Sequence, residues 1–305
     1  MSEFSISAQT KMTPQAIKER NWSMKFATML YSTDYAMRPD KFAVASEERG
    51  FESVWFPEHT HIPICRRSPF PGHGDLPQDY WHMHDPFIAL TAAAIATTTI
   101  KVGSGVCLIT ERDPIVTAKE VASLDMLSNG RFLFGIGAGW NAEEMENHGT
   151  KFEERWNVLE ERIEAMKVCW TEEDSEYHGK YVDFDPIWSW PKPIQKPHPP
   201  IIMGAASSWG RERVARYCDG WIPLPAQMRN IEEELGDLER RLQKHGRKLS
   251  DIEISVFWAP EDVDKLKSYQ EMGIDRAILA CPADQEAQTL KLLDQHASLM
   301  EAVAA

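Results

Sequence analysis

The sequence predicts an α/β fold, a single (β/α)8 barrel with an insertion before the fifth strand. Three observations predict it. Eight short β-type runs each lead into a helical pattern. Regular β-then-α alternation builds a parallel sheet, and eight units argue for its closure into a barrel. Runs such as GVCLI and FLFGI lack in/out alternation, as expected of parallel strands buried on both faces. The first strand ends Met29-Leu30-Tyr31-Ser32, without the glycines that an open doubly wound sheet usually carries there.

The elements follow in order. Residues 1–23 are polar and without strong periodicity, and read as an N-terminal extension to a folded part at 24–305. The first strand is 24–30, followed by a helix at 39–49 that Gly50 stops. The second strand is 53–57. A helix at 85–96 opens with Asp85 and has Pro86 at its first position. The third strand is 100–109 and its helix 113–127 again opens with Asp-Pro. The fourth strand is 131–138. Its helix at 152–170 places Trp156, Leu159, Ile163, Met166 and Trp170 three or four apart. Strands at 201–204, 221–224, 252–257 and 276–280 alternate with helices at 208–217, 231–244, 262–272 and 287–300.

Two segments interrupt this rhythm. Residues 59–84 are rich in Pro, His and aromatics, and the insertion at 172–199 holds five prolines with Trp188 and Trp190. Unstructured stretches of this length are often lids or binding loops. A chain of 305 residues first suggests two domains. Setting aside 1–23 and 172–199 leaves about 250 residues, the typical length of one eight-unit barrel.

Composition narrows the function classes. With 43% hydrophobic and 26% charged residues the chain is an ordinary globular protein, not a disordered, collagen-like or disulfide-stapled one. A net charge of −14 disfavours nucleic acid and anionic membranes as partners. The longest apolar stretch, 86–96, is about half of what a membrane helix needs, and no secretory signal pattern opens the chain. Cys65, Cys107, Cys169, Cys218 and Cys281 are odd in number and widely spaced, which reads as buried thiols in a reducing cytoplasm.

Active sites of barrels lie at the C-terminal ends of the strands. The second strand ends in Glu58 and His59. His59 is either an imidazole placed for proton transfer or a loop histidine without a task. The third strand carries Gly103, Ser104, Gly105 and Val106, and the fourth ends Gly137, Ala138, Gly139, Trp140, Asn141. Glycines inside strands mark bends or close backbone approach. They suit a flat ring lying on bare backbone, or a barrel interior that needs small residues. Gly204, Ala205, Ala206 and Ser207 lead from the fifth strand into a helix. That is a phosphate site at a helix N-terminus, or a turn in which serine caps a helix.

Other features weigh less. His59-x-His61 and His82-x-His84 suggest a metal hydrolase, but the other histidines do not fall at strand ends and Asp284 is the only tempting carboxylate. No metal site is therefore expected. The chain has no G-x-S-x-G and no P-loop. Trp55, Trp81, Trp140, Trp188, Trp190 and Trp221 either wall an apolar pocket or pack the core. The Glu-rich stretches 143–146, 153–154 and 232–234 read as solvated helix faces.

Four blocks in this order resemble the bacterial luciferase-like superfamily of flavin- and deazaflavin-dependent oxidoreductases. They are SVWFPEH at 53–59, DPFIALTAAAIATTTIKVGSGV at 85–106, ERDPIVTAKEVASLDMLSNGRFLFGIGAGWN at 111–141 and PPIIMGAASSWGRERVARYCDGWIPL at 199–224. The GAGWN ending and WSWPKPIQKPHPPI look most like the branch that uses coenzyme F420, a 5-deazaflavin. The resemblance implies a flavin-like ring at the mouth of the barrel. It implies a proton-handling His59 with Glu58 orienting or charge-balancing it. It also implies a bulge with a non-proline cis peptide at Gly105-Val106, a channel lined by Gly137, Ala138, Gly139 and Asn141, and a phosphate turn at Gly204–Ser207. The long loop after His59 departs from several relatives, so a substrate pocket is not carried over.

The expected enzyme is a cytoplasmic, F420-dependent oxidoreductase that transfers a hydride between reduced deazaflavin and a small organic substrate. A separate enzyme would reduce the cofactor, and relatives imply a homodimer. An FMN-using alternative, the FMNH2-dependent two-component monooxygenase, shares the architecture. A metal-dependent barrel hydrolase and a non-catalytic flavin-binding sensor are more distant readings.

Overall fold

The computed structural model of the chain describes residues 23–72 and 74–305. The extension expected at 1–23 therefore lies, apart from Ser23, outside the described residues. Eight parallel staves close a barrel. They are β1 (Lys25–Leu30), β2 (Ser53–Phe56), β3 with β4 (Lys101–Ser104, Cys107–Leu108), β5 (Phe132–Gly137), β8 (Ile201–Met203), β9 (Gly220–Trp221), β10 (Glu253–Phe257) and β11 (Arg276–Cys281). Each pairs with its neighbour in parallel, and the β3–β5 pairing closes the ring.

The third stave is in two pieces, β3 and β4, and the cis Gly105–Val106 peptide that the family resemblance implies lies between them. The sixth stave is shorter than expected, since Pro223 lacks the N–H that would continue the ladder.

The helices lie around the barrel: α1 (Pro39–Glu48), α3 (Pro86–Ala96), α4 (Pro114–Leu127), α6 (Arg155–Thr171), α7 (Ser208–Tyr217), α8 (Ile231–Lys244), α9 (Val263–Glu271) and α10 (Glu286–Ala304). The Asp-Pro starts act as read. Asp85 accepts from the amides of Phe87 and Ile88, and Asp113 from that of Val116. Among the described residues, no helix is long and apolar enough to cross a membrane.

Two short helices and one hairpin were not anticipated. Short helices α2 (Asp79–His82) and α5 (Ala142–Asn147) follow β2 and β5. Residues 172–199 contain an antiparallel hairpin, β6 (Ser175–His178) with β7 (Asp183–Ile187).

Alternation along the staves separates two cores. Phe26, Leu30, Val54 and Phe56 pack outward under the helices, while Ala27, Met29, Trp55 and Ile278 fill the barrel interior. Both faces are buried, which is why the strands read as unbroken apolar runs. The N-terminal end of the barrel is closed by buried Arg276, bonded to Glu52 at 2.8 Å, Glu253 at 2.7 Å and Ser255 at 2.8 Å. The opposite end is left open to chemistry.

Candidate active site at the barrel mouth

Past β2 the chain delivers Glu58 and His59 to the C-terminal mouth, and both are buried. They are bonded to different partners. Glu58 accepts from the Leu108 amide at 2.6 Å and from Arg112 Nε at 2.6 Å. Arg112 also reaches Asp85 at 2.6 Å and Glu120 at 3.1 Å. Burial disfavours the Arg112 charge, but Glu58 and Asp85 more than offset this and hold the guanidinium charged. Glu58 thus anchors Arg112 and the β4 backbone. Of the two roles expected for it, orienting or charge-balancing His59, the first is taken by another carboxylate.

His59 is oriented from α5 instead. Its Nδ1 lies 2.7 Å from Glu144 Oε2, and Trp140 Nε1 donates to its Nε2 at 3.3 Å. An indole N–H can only donate and a carboxylate only accepts. Together they assign the neutral tautomer with the proton on Nδ1 and a lone pair on Nε2.

The stretch 143–146, read as a solvated face, is the largest correction. Glu143 and Glu144 are buried, and only Glu146 is exposed. Glu143 accepts from the Arg67 amide at 2.5 Å, the Ser68 amide at 2.9 Å and the Ser68 hydroxyl at 2.5 Å. Burial pushes its carboxyl up, but these donors win and hold it at about 2. Adjacent glutamates therefore do two tasks: Glu143 pins the 59–84 loop and Glu144 holds His59. Gly139, at φ +75°, makes the turn from β5 into α5 in a region that side chains disfavour. A six-residue helix shows no usable periodicity, and no local pattern announces it.

A third carboxyl, Glu111, is buried at the same level. Burial, then the neighbouring Glu144 and Glu58 carboxylates, push it up to about 9.

The strand glycines are explained by packing. A Cβ on Gly137 would lie 2.6 Å from Val106 Cγ2, and one on Gly204 2.8 Å from Val106 Cγ1. One on Gly103 would lie 2.6 Å from the Trp55 ring. The bare backbone expected beneath a flat ring is thus covered by side chains at these three positions. Ser104 Oγ bonds Gly135 O at 2.8 Å, the Gly105 amide bonds Phe56 O at 2.8 Å, and Ala138 O accepts from Thr110 at 3.2 Å.

At the Gly204–Ser207 turn, Ala205 O accepts from Trp221 at 2.8 Å and Ala206 O from Arg211 at 2.9 Å. Ser207 Oγ accepts from the Gly210 amide at 3.2 Å, so it caps α7. The first-turn amides of Ser208 and Trp209 have no intrahelical acceptor and remain available to an anion.

A cavity of about 480 Å³ occupies the mouth, lined by Tyr31, Phe70, Tyr80, Trp258, Ala280 and Pro282 among others. The 59–84 loop supplies Phe70 and Tyr80. The Tyr80 ring lies 5.2 Å from the His59 ring and its hydroxyl 3.1 Å from that of Tyr31. Burial and the Tyr80 contact push the Tyr31 hydroxyl up, so it stays neutral. Trp258 adopts φ +55°, a conformation rare for a bulky residue and held here where its ring meets Tyr31 edge-on. Sequence reading missed Trp258. Beside the mouth, Ser32 Oγ, Thr33 Oγ1 and both amide atoms of Asn141 are buried without a protein partner.

Other candidates fall away from the site. Trp55 and Trp221 are core residues, while Trp188 and Trp190 are exposed. His61 bonds Asn147 at 2.9 Å and His82 bonds Asp34 at 2.9 Å. Among the described residues, no three His, Cys, Asp or Glu side chains come together to hold a metal. Four cysteines are buried as expected, but Cys65 in the loop is exposed.

Residues 25–260 match the family model described as luciferase-like monooxygenase. An uncharacterised protein of Mycobacterium tuberculosis is 37% identical over 263 residues, covering 85% of this chain and 92% of that protein. The FMNH(2)-dependent dimethylsulfone monooxygenase of Pseudomonas putida is 26% identical over 187 residues, covering 60% of this chain and 51% of its own. The fold is shared with the coenzyme F420-dependent tetrahydromethanopterin reductase of Methanopyrus kandleri. That structure superposes with a TM-score of 0.70 at 17% identity, over 90% of this chain and 98% of that one.

Proposed function

The chain belongs to the luciferase-like monooxygenase family, and from that premise we propose that it is an F420-dependent oxidoreductase. In this reading a hydride moves between reduced deazaflavin and a small organic substrate, and His59 handles the accompanying proton. That the protein is an oxidoreductase or monooxygenase follows from the family. The choice of deazaflavin, the substrate and the residue roles are our reading.

The observation that carries it is the pinned imidazole. His59 presents a basic Nε2 beside an aromatic cavity, with Nδ1 secured to a buried carboxylate. A general base or acid needs this arrangement of defined tautomer, burial and access. The surroundings fit a large polar-edged ring. Ser32, Thr33 and Asn141 offer buried donors and acceptors that the protein leaves unused. Tyr31, Tyr80 and Trp258 supply apolar walls. The Ser208 and Trp209 amides would hold its phosphate, which suits a chain whose net charge is −14 and which needs local anion binding. When bound, the deazaflavin supplies the hydride chemistry. The protein's share is to orient it, exclude water and move one proton at His59 Nε2. A separate enzyme would reduce the cofactor in the cytoplasm.

The Pseudomonas relative favours a second reading, an FMNH2-dependent monooxygenase. Titrating the purified chain with F420 and with FMN separates them. Micromolar F420 binding without FMN binding is expected, and the opposite result would replace the first reading by the second.

A further inference from the structure

The staves divide the barrel mouth into two arcs. The residues expected to hold the cofactor, at 103–106, 137–141 and 204–207, belong to β3, β4, β5, β8 and the turns beside them. The 480 Å³ cavity lies on the other arc, past the ends of β1, β10 and β11 and under the 59–84 loop. None of the expected cofactor residues lines it. A hydride transfer needs its second reactant against the cofactor ring. This cavity, which reaches the His59 ring through Tyr80 at 5.2 Å, is the space the mouth offers that reactant.

Its walls are four aromatic rings set at angles to one another. Tyr31 and Tyr80 have centroids 5.5 Å apart and planes at 42°. Phe70 meets Tyr80 at 5.2 Å and 77°, and Trp258 meets Tyr31 at 6.3 Å and 87°. Trp258 is 50% exposed, so much of its ring is left for a ligand. The Tyr31 and Tyr80 hydroxyls bond each other at 3.1 Å. An aromatic ring is electronegative on its face, and several rings around one space form a box that attracts a cation.

The charged groups of the lining have one sign. They are Asp79 and Glu261, and the lining holds no Lys, Arg or His. Among the described residues, the hydrogen-bonding partner of the Asp79 carboxylate is the Tyr35 hydroxyl, a neutral donor. After burial, the Asp79 charge is among the causes that push the Tyr31, Tyr35 and Tyr80 hydroxyls up. Glu261 has His296 Nε2 at 3.1 Å. The Cys281 thiol lies 3.9 Å from His296 Nδ1 and can donate there, so a neutral imidazole serves both neighbours and does not cancel the Glu261 charge. An anionic substrate would meet ring faces and two carboxylates with nothing to pair it. A neutral one would gain apolar contact alone, whereas a cation on an apolar body gains both terms. The net charge of −14 draws such a molecule in.

We propose that the substrate is an organic cation, a protonated or quaternary amine on an apolar body that fills the aromatic box. The proposal rests on the reading of the mouth as the seat of hydride transfer beside His59. Asp79 and Glu261 set the charge preference, and Trp258 supplies the ring face that the protein itself leaves open.

The test uses the full chain without cofactor and three probes of similar shape. They are benzyltrimethylammonium, the neutral 2-methyl-1-phenylpropan-2-ol and the anionic benzylsulfonate. Calorimetric titration at low salt is expected to rank the ammonium about tenfold or more ahead of the alcohol, with the sulfonate last. Asp79→Asn and Glu261→Gln should each weaken the ammonium by about threefold and leave the alcohol unchanged, a difference that a misfolded protein would not produce. Trp258→Leu should weaken the ammonium more than the alcohol. A wild type that binds the alcohol or the sulfonate as well as the ammonium, or that does not bind the ammonium, overturns the proposal without any variant. An ammonium preference untouched by both carboxylate variants places the cation elsewhere and also overturns it. A chain that binds FMN and not F420 would replace the proposed cofactor and leave the ranking of the probes intact. A chain that binds F420 but ranks the alcohol first keeps that cofactor and loses the cationic substrate, so the two failures are distinguishable.

Discussion

At the scale of single residues, the site depends on what holds His59. Replacing it with Ala should lower kcat/KM by about 10²- to 10⁴-fold, the usual share of a positioned acid or base. Cofactor affinity, measured by fluorescence titration, should change little. Glu144→Gln keeps the shape but offers an amide in place of a carboxylate, so imidazolium is no longer stabilised at Nδ1. Its kcat should fall by about 10- to 100-fold with KM nearly constant, and steady-state kinetics checks this. His59 was legible in the sequence because it follows a strand directly. Glu58 was misleading for the same reason: successive residues on extended backbone face opposite sides. Glu144 lies 85 residues from His59. No local pattern joins them, and only the closed barrel brings them together.

At the scale of elements, capping and packing give separate tests. Asp113 caps α4 through the Val116 amide at 2.9 Å. Asp113→Ala should cost about 1 kcal/mol in urea unfolding. Gly137→Ala would drive a methyl to 2.6 Å from Val106 Cγ2. Overpacking of this kind costs about 1–3 kcal/mol, and adding Val106→Ala should restore part of it. A Gly137→Ala protein of unchanged stability that has lost cofactor binding would instead favour a ring on bare backbone. Long elements were legible because two or three turns of α4 or α6 are enough to show a period or a cap. The short α5 and the β6–β7 hairpin were not. Six residues carry too little periodicity, and Glu143-Glu144 reads as surface until the loop and the imidazole that cover it are known.

At the scale of the whole molecule, the barrel has a structural end and a chemical end. Counting eight β-then-α units was enough to read the closure that the β3–β5 pairing makes. It could not show that Arg276, at the base, is wholly buried among carboxylates. Burial pushes Glu52 up, but Arg276 and Lys101 win and hold it well below the usual carboxylate range. A lowered folded value stabilises above the unfolded value of about 4.3, and the gain is lost as pH falls below it. Tm should therefore drop steadily below about pH 5. Glu52→Gln should flatten that dependence and cost on the order of 3 kcal/mol at neutral pH, because Arg276 loses one of its partners. The outer surface bears on assembly. Ile88 and Ile95, two turns apart on α3, are 71% and 63% exposed, and Val116 and Leu127, three turns apart on the neighbouring α4, are 56% and 54% exposed. Large apolar side chains aligned on two adjacent helices expose apolar surface of the kind that marks interaction sites. A two-fold contact would set each such patch against its copy, and a stable one must bury roughly 1,000 Å² or more. Sedimentation velocity at micromolar concentration should give a dimer. The double variant Ile88→Asp, Ile95→Asp should give a folded monomer with unchanged circular dichroism, because two charges per protomer would face each other across the axis. A wild-type monomer would remove the homodimer reading and leave the patch to another partner.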